Sequence, residues 1–467
     1  MSMQRRTFLS LLTLPAIAVA LPACGDDSKG TGTTPAGTDP IDTDPISTDP
    51  VSTDPTGTDQ GGTGAHASLR GTAAHVTADA DPTAASLAIN AFAADLFDRL
   101  VAADPTANLI VSPASIALAL AMTSAGAKGT TLAEMDAVLH ITDPTTIHRS
   151  MNGLGAVLAA QNQRQDNTAE GGTGVSEVQL SIANSLWAQA GLEFEQAFLD
   201  LLSAEYDAGL EIVDYASNPE AARTAINEWV AAETKDRIPE LLGEGTITAA
   251  SRLTLVNAIY LKANWATAFN EALTTDDPFT TPTGEVTVAM MHTDGTFQVA
   301  ATDDWKAIDL PYVFYGLTMT VLVPNTAPAG AGAPLPTGDE VFAALAPQPV
   351  MLSFPRFDIE TSTSLADVLG AMGMTTAFTD AADFSGMTTD EPLTIGDVIH
   401  QANITVDETG TEAAAATAVV MVATAMPDPT EPIQFVVDHP FTFWLRDLYS
   451  GTIVFVGRIN DPSLTRG

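Results

Sequence analysis

Apolar side chains recur at helical spacing where the folded part of the chain begins. The first such set is Ile89, Phe92, Leu96 and Leu100, and its spacing of three or four positions predicts a helix with one buried face. A short apolar run at 109–111 predicts a strand. Ser112 and Pro113 follow as a helix cap and a first-turn proline, for a helix that Gly126 can end.

Two further patterns near the C-terminal end predict strands. Apolar runs at 441–445 and 452–456 flank Ser450 and Gly451, which predicts a hairpin. Upstream, Ile395, Val398, Ile404 and Val406 predict a strand that leads directly into Asp407 and Glu408.

The segment DETGTEAAAATAVVMVATAMP, residues 407–427, combines conflicting preferences. Its Ala-rich first half favours helix and its Val-rich second half favours strand. Counted in twos from Thr411, one face carries only uncharged side chains, whereas the other carries the single charge of Glu412. No proline interrupts the run from Thr411 to Met426. The segment could therefore be buried as a central strand, where a charge or a proline would be costly.

Residues 1–24 read as an export signal. Arg5 and Arg6 precede an apolar core at 8–21, and the stretch QRRTFLSLL is compatible with either an ordinary or a twin-arginine signal. The core runs into Leu-Pro-Ala-Cys, which resembles a bacterial lipobox and makes Cys24 the expected lipidation site. We expect an exported protein, lipid-anchored in the cell envelope or on the cell surface, or released outside the cell.

Composition limits the remaining possibilities. Residues 25–81 are rich in Thr, Asp, Pro and Gly, and the repeated Asp-Pro steps predict an extended tether before a domain at 82–467. Acidic residues number 58 against 18 basic ones, a net charge of -40, so nucleic acid is excluded as a partner. Cys24 is the single cysteine and no internal disulfide can form.

No catalytic motif is present in the sequence. It has no G-x-S-x-G elbow and no HExxH pair, and its seven histidines form no close pair. The sequence therefore lacks the site that a hydrolase would need, and we expect no metal and no other cofactor.

Several short motifs, in order, resemble the serpin family of serine protease inhibitors. They include NLIVSPASIALALAM from residue 108, SIANSLW from 181, INEWV from 226, LVNAIYLK from 255, and DHPFTFWLRDLYSGTIVFVGRINDP from 438. The resemblance spans about residues 82–464. It implies an α+β serpin fold with three β-sheets, about nine helices and an exposed reactive-centre loop, here at about 408–432.

The resemblance also implies roles for single residues. Ser112, Ser115, Asn257 and His400 match the shutter, a hydrogen-bonded cluster under the main sheet. Trp265 and Arg356 match the breach, where loop insertion begins, and we expect Arg356 to pair with Glu408. The hinge comprises Glu408, Gly410, Thr411, Glu412, Ala413, Ala414, Ala415 and Ala416.

The resemblance implies a suicide substrate and not an enzyme: a protease cleaves the loop, and the loop then inserts into the main sheet while the acyl-protease is still attached. Family spacing puts the scissile bond at Thr424-Ala425, with Ala423 and Met426 as neighbours. Small and aliphatic residues there favour elastase-, subtilisin- or chymotrypsin-like serine proteases, with a cysteine protease as a further option.

Two other functions are compatible with the sequence. One is a non-inhibitory serpin that acts as a cell-surface binding or chaperone-like lipoprotein, and the other is a surface lipoprotein whose head adheres to partners. In each case we expect a monomer held at the membrane through Cys24.

Overall fold

The structure is a computed structural model, and it describes residues 66–76, 80–166, 175–326, 336–411 and 431–464. Cys24, the hinge residues at 412–416 and the bond region at 423–426 lie outside the described residues.

Eight α-helices occur in these described ranges. They are α1 (Thr83–Ala103), α2 (Pro113–Ser124), α3 (Gly129–Val138), α4 (Ile147–Ala159), α5 (Gln196–Tyr206), α6 (Pro219–Glu233), α7 (Gly338–Ala344) and α8 (Ala366–Met372). The predicted first helix is confirmed as α1, with Ile89, Phe92 and Leu96 fully buried. The predicted cap is also confirmed, because the Ser112 side chain accepts a hydrogen bond from the Ser115 backbone N–H at the start of α2.

Seventeen strands occur in the same described ranges. They are β1 (Ala67–Leu69), β2 (Leu109–Val111), β3 (Gln163–Asp166), β4 (Val175–Gln189), β5 (Leu210–Val213), β6 (Leu253–Asn264), β7 (Thr275–Thr281), β8 (Gly284–Ala301), β9 (Trp305–Pro311), β10 (Leu317–Pro324), β11 (Ala346–Pro355), β12 (Phe357–Ser364), β13 (Val398–Val406), β14 (Gly410–Thr411), β15 (Ile433–Val436), β16 (Phe441–Asp447) and β17 (Ile453–Ile459).

The strands form two hydrogen-bonded sheets. The first has the order β1-β5-β4-β6-β14-β13-β12, with β3 paired to β4. The second has the order β15-β11-β8-β9-β10-β16-β17-β2, with β7 paired to β8. Three sheets were expected, and the difference lies in β8. This 18-residue strand pairs with β7 and β11 along most of its length and with β9 at its end, so it joins two strand groups into one sheet.

Helix α2 lies between the two sheets and forms the centre of the core. All twelve of its residues are buried, and it packs against β4, β6 and β17. A helix that is apolar all round suits this position, because no side of it meets water. The predicted hairpin is confirmed as β16 and β17, which pair antiparallel from Phe441 with Ile459 onward.

An additional strand precedes the predicted domain boundary. Ala67–Leu69 pairs antiparallel with β5 at the edge of the first sheet, so the tether predicted for 25–81 is wrong over these residues. The three-residue run carries no periodic pattern, and its pairing depends on an edge that only the folded sheet provides. No helix within the described ranges is long and apolar enough to cross a membrane.

Candidate functional site

The two-residue strand β14 enters the first sheet between two long strands. Gly410 and Thr411 pair antiparallel with Asn264 and Ala263 of β6, and Thr411 also pairs with Val406 of β13. Directly below, β6 and β13 pair with each other in parallel, from Leu255 with Val398 to Ile259 with Ala402. Because β6 and β13 are direct neighbours there, they lie one strand spacing apart, about 4.8 Å. The chain that follows Thr411 could continue as a central strand only if these two strands separated to twice that distance.

A tight turn at Asp407 positions this short strand. The Asp407 side chain accepts hydrogen bonds from the backbone N–H groups of Thr409 and Gly410 at 2.8 and 3.1 Å. Gly410 then lies so close to β6 that a Cβ atom would be 2.0 Å from the Ala263 carbonyl oxygen. Glycine is therefore required here for a close backbone approach, in addition to any role as a pivot.

Two aromatic side chains hold the turn from the other side. The Trp265 indole N–H donates to the Asp407 carbonyl oxygen at 3.0 Å, and its ring stacks on Tyr312 with centroids 4.6 Å apart. The Tyr312 hydroxyl lies 2.6 Å from the Thr411 hydroxyl, and both residues are buried. The start of β14 is thus surrounded by stacked rings and satisfied hydrogen bonds.

Arg356 and Glu408 form an ion pair next to this turn. Arg356 Nε donates to Glu408 Oε2 at 2.7 Å and Nη2 contacts the same oxygen, while the Thr274 hydroxyl donates to Oε1 at 2.5 Å. Burial raises the pKa of Glu408, but the hydrogen bonds from Thr274 and Arg356 outweigh it and leave that pKa below its ordinary value. The carboxylate is therefore charged at neutral pH and ties residues 274 and 356 to the base of β14.

A second polar cluster lies where β6 and β13 still pair. His400 and Asn257 are register partners in these strands, and His400 Nδ1 lies 2.5 Å from Asn257 Oδ1. The Asn257 amide donates to the Ser115 hydroxyl and to Asn184 Oδ1, both at 2.6 Å. A strand placed between β6 and β13 would break the hydrogen bond between His400 and Asn257.

The protonation of His400 follows from its partners. The Ser112 backbone N–H donates to His400 Nε2 at 3.1 Å, so Nε2 accepts and the proton lies on Nδ1, which donates to Asn257. Complete burial lowers the pKa of His400 from 6.5 to about 3. His400 is therefore a neutral histidine that bridges β13, β6 and the start of α2.

Comparison with known proteins identifies the family. The profile described as Serpin (serine protease inhibitor) matches residues 87–462. The chain belongs to the serpin family. An uncharacterized serpin-like protein of Thermococcus kodakarensis is 37% identical over 378 residues, which cover 80% of this chain and 85% of the relative. The leukocyte elastase inhibitor of Xenopus laevis is 35% identical over 389 residues, which cover 81% of this chain and 99% of the relative.

Solved serpin structures share the fold. A cleaved serpin 42Da is 30% identical with a TM-score of 0.69, covering 81% of this chain and 98% of that one. Native tengpin, a thermophilic serpin, superposes with a TM-score of 0.71 at 24% identity, covering 84% of this chain and 97% of that one. The expected serpin fold is confirmed.

The structure of this serpin brings the sequence-predicted residues into two groups. Trp265, Arg356, Glu408, Gly410 and Thr411 meet at the top of β6 and β13. The other group is the cluster of Ser112, Ser115, Asn257 and His400 under the paired strands. Their roles in loop insertion remain predictions.

Three residues at these sites carry roles that the sequence analysis did not assign. Asn184 bridges Ser115 and Asn257, Thr274 binds Glu408, and Tyr312 binds Thr411. Asn184 and Asn257 are register partners in β4 and β6, so pairing the two strand motifs would have found Asn184. Thr274 stands in no motif, and only the folded chain shows its contact.

Proposed function

We propose that this serpin inhibits serine-type endopeptidases as a suicide substrate, by inserting its cleaved loop into the first sheet. The observation that carries the proposal is the position of β14. Gly410 and Thr411 already occupy a strand position between β6 and β13, while the same two strands close over the space below. Insertion of the cleaved loop would extend the existing pairing of β14 with β6 and β13 beyond Thr411.

The chemistry belongs to the protease. Its serine hydroxyl attacks the Thr424 carbonyl, the Thr424-Ala425 peptide bond breaks, and the Ala425 amine leaves with a proton. Thr424 then remains as an ester on the protease, and the loop from Thr411 onward is free at that end. If it continues as a strand, about thirteen residues at about 3.3 Å each carry the ester some 45 Å from its starting position. Movement over this distance would drag the attached protease away and distort its active site, so the ester would not be hydrolysed.

The loop sequence supports a target with an apolar specificity pocket. No Lys or Arg occurs from Thr409 to Leu445, which disfavours trypsin-like proteases, and residues 423–426 are Ala, Thr, Ala and Met. Two relatives are named leukocyte elastase inhibitors, and elastase belongs to the class of proteases with an apolar specificity pocket. We therefore propose elastase-, subtilisin- or chymotrypsin-like enzymes as targets.

Incubation with pancreatic elastase and with subtilisin tests this proposal. We expect an SDS-stable complex at the summed mass of the two chains, with the cut located by mass spectrometry near Thr424. Ala415→Arg should be cleaved without forming the complex, because counting in twos from Thr411 places residue 415 on the face that insertion would bury, where a charge costs several kcal/mol.

Ser362→Arg is the matched control, since it adds the same charge at an exposed position of the edge strand β12. The Ser362→Arg variant should still form the SDS-stable complex with the protease. Clean cleavage of the unaltered protein by every serine protease of these classes would overturn the inhibitory function and favour a non-inhibitory binding protein.

We also propose that the folded head is displayed at the cell envelope through a lipid on Cys24. The lipobox-like sequence before this single cysteine supports it. Growth with an alkyne-tagged fatty acid should label the protein, and Cys24→Ala should remove both the label and membrane fractionation. Labelling that survives Cys24→Ala would contradict this anchor.

A further inference from the structure

Four strands of the second sheet lie next to both ends of the predicted reactive-centre loop. β15 pairs with β11, β11 pairs with β8, and β8 pairs with β7. The loop begins at Glu408, which binds Thr274 directly before β7, and the chain beyond the loop enters β15. A protease that binds the loop would therefore lie beside these four strands.

One row of side chains crosses three of these strands on a single face. Met351 of β11 is the register partner of Asp294 in β8 and of Gln434 in β15, and the Gln434 amide nitrogen lies 3.0 Å from the Met351 sulfur. All three residues are exposed, and Met351 is 48% accessible. An exposed methionine between polar neighbours suits a protein contact, because its flexible thioether adapts to the shape of a partner.

A second row on the same face is held by side-chain contacts. His292 and Ser353 lie two positions from Asp294 and Met351 along β8 and β11, so their side chains point to the same side. His292 Nδ1 is 3.0 Å from the Ser353 hydroxyl, and Nε2 is 3.0 Å from the Thr275 hydroxyl and 3.5 Å from a carboxylate oxygen of Asp277. These contacts join β7, β8 and β11, so the face is ordered before a partner arrives and binding costs little conformational entropy.

The charge of these strands has one sign. No Lys or Arg occurs in residues 263–305, which include β7 and β8, and none occurs in β11 or β15. Residues 263–305 contain seven acidic side chains, at 271, 276, 277, 285, 294, 303 and 304. The two basic residues that directly follow these segments are already bound: Lys306 donates to the Val436 carbonyl oxygen, and Arg356 pairs with Glu408. A partner with basic residues at its contact surface would therefore be attracted, and an acidic partner would be repelled.

We propose that the face formed by Asp277, His292, Asp294, Met351 and Gln434, here called the Met351 face, is a docking surface for the target protease. It would contact the rim of the protease active site and select a protease whose rim carries Lys or Arg. The inference rests on the proposed inhibitory function and adds a second element of specificity. The loop sequence determines which pocket accepts the cut bond, whereas the Met351 face determines how fast the protease arrives.

The experiment measures the second-order rate constant of complex formation by the full chain with subtilisin and with lysine-succinylated subtilisin. Succinylation replaces each ammonium group by a carboxylate, and both enzymes are titrated for active sites and compared on a small uncharged peptide substrate. We expect the succinylated enzyme to react at least about tenfold more slowly at about 0.01 M salt. The difference should largely disappear at about 1 M salt, where charges are screened beyond about 3 Å.

Three variants assign the effect to the Met351 face. Asp294→Lys should slow the reaction with subtilisin about three- to fivefold at low salt and speed the reaction with the succinylated enzyme. Asp98→Lys is the matched control, because it makes the same change of charge at an exposed position of α1, and it should change either rate by less than about twofold. Met351→Ala removes the apolar centre and should slow both reactions about threefold at either salt concentration.

The outcomes separate this inference from the inhibitory function, because every variant keeps the loop unaltered and should still form the SDS-stable complex. Equal rates for the two forms of subtilisin at low salt would overturn the docking surface and leave inhibition standing. An effect of Asp98→Lys as large as that of Asp294→Lys would also overturn it, by assigning the attraction to net charge, and so would an unchanged rate for Met351→Ala. Failure of the unaltered protein to form a complex with any protease would overturn inhibition and docking together.

Discussion

The ion pair between Arg356 and Glu408 should set how long β6 and β13 stay paired in the intact protein. Arg356→Ala removes both guanidinium contacts and leaves the buried Glu408 carboxylate with the Thr274 hydroxyl as its side-chain partner. Without this pair the base of β14 is held less firmly, so spontaneous insertion and polymerisation should both become faster.

The exposure of the two partners sets the size of the effect. Breaking a fully buried pair costs about 3–5 kcal/mol, and a fully exposed pair contributes about 0–1 kcal/mol. The Glu408 side chain is 2% exposed but that of Arg356 is 46% exposed, so solvent replaces part of the interaction. We expect a loss of about 1–2 kcal/mol, which corresponds to a rate increase of about 5- to 30-fold.

The assay follows the loss of protease-complexing protein and of monomer during incubation at a fixed temperature. Arg252→Ala is the matched control, because Arg252 is one-third exposed and pairs with Glu391 at 2.8 Å near the opposite end of β6. Arg356→Lys keeps the charge and loses one contact, so its rate should be intermediate. A rate for Arg356→Ala within twofold of the unaltered protein would refute this account of the hinge.

Three more predictions follow from single contacts. Because burial keeps His400 neutral, an opening of β6 from β13 that exposes its ring to water would let the ring take up a proton; the paired state then loses stability as pH falls below the ordinary histidine pKa of 6.5, by about 2 kcal/mol at pH 5. Polymerisation should therefore accelerate from pH 7 to 5. An equal acceleration in His400→Gln would exclude His400 as the group responsible for this pH dependence. Gly410→Ala should displace β14, since its Cβ would meet the Ala263 carbonyl at 2.0 Å, and should speed amide exchange at Thr411; unchanged exchange would contradict the close approach. Lys306 donates to the Val436 carbonyl at 2.6 Å and lies over Phe435, so Lys306→Met should loosen β15 and speed amide exchange in Ile433–Val436 about tenfold; unchanged exchange there would show that these contacts do not hold the strand.

Sequence alone predicted the elements whose signals are local. The helix that carries Ile89 and Phe92, the Ser112 cap and the hairpin at 441–459 all follow from spacing and capping. The serpin family followed from motif order, and with it came most residues of the candidate site.

Contacts that depend on the assembled sheet could not be predicted in this way. β1 exists because β5 has a free edge, and no pattern in Ala67–Leu69 announces it. Thr274 reaches Glu408 across 134 positions in the chain. Likewise, only the strand pairing shows that β8 joins two groups of strands into one sheet.

The most direct measurement is the thermal unfolding of the protein before and after a single cut in its loop. If the cut loop inserts between β6 and β13, the cleaved chain gains a full central strand and should melt at a clearly higher temperature than the intact chain. Equal or lower melting of the cleaved form would show that cutting releases no strand into the sheet, and it would contradict the proposed mechanism of inhibition.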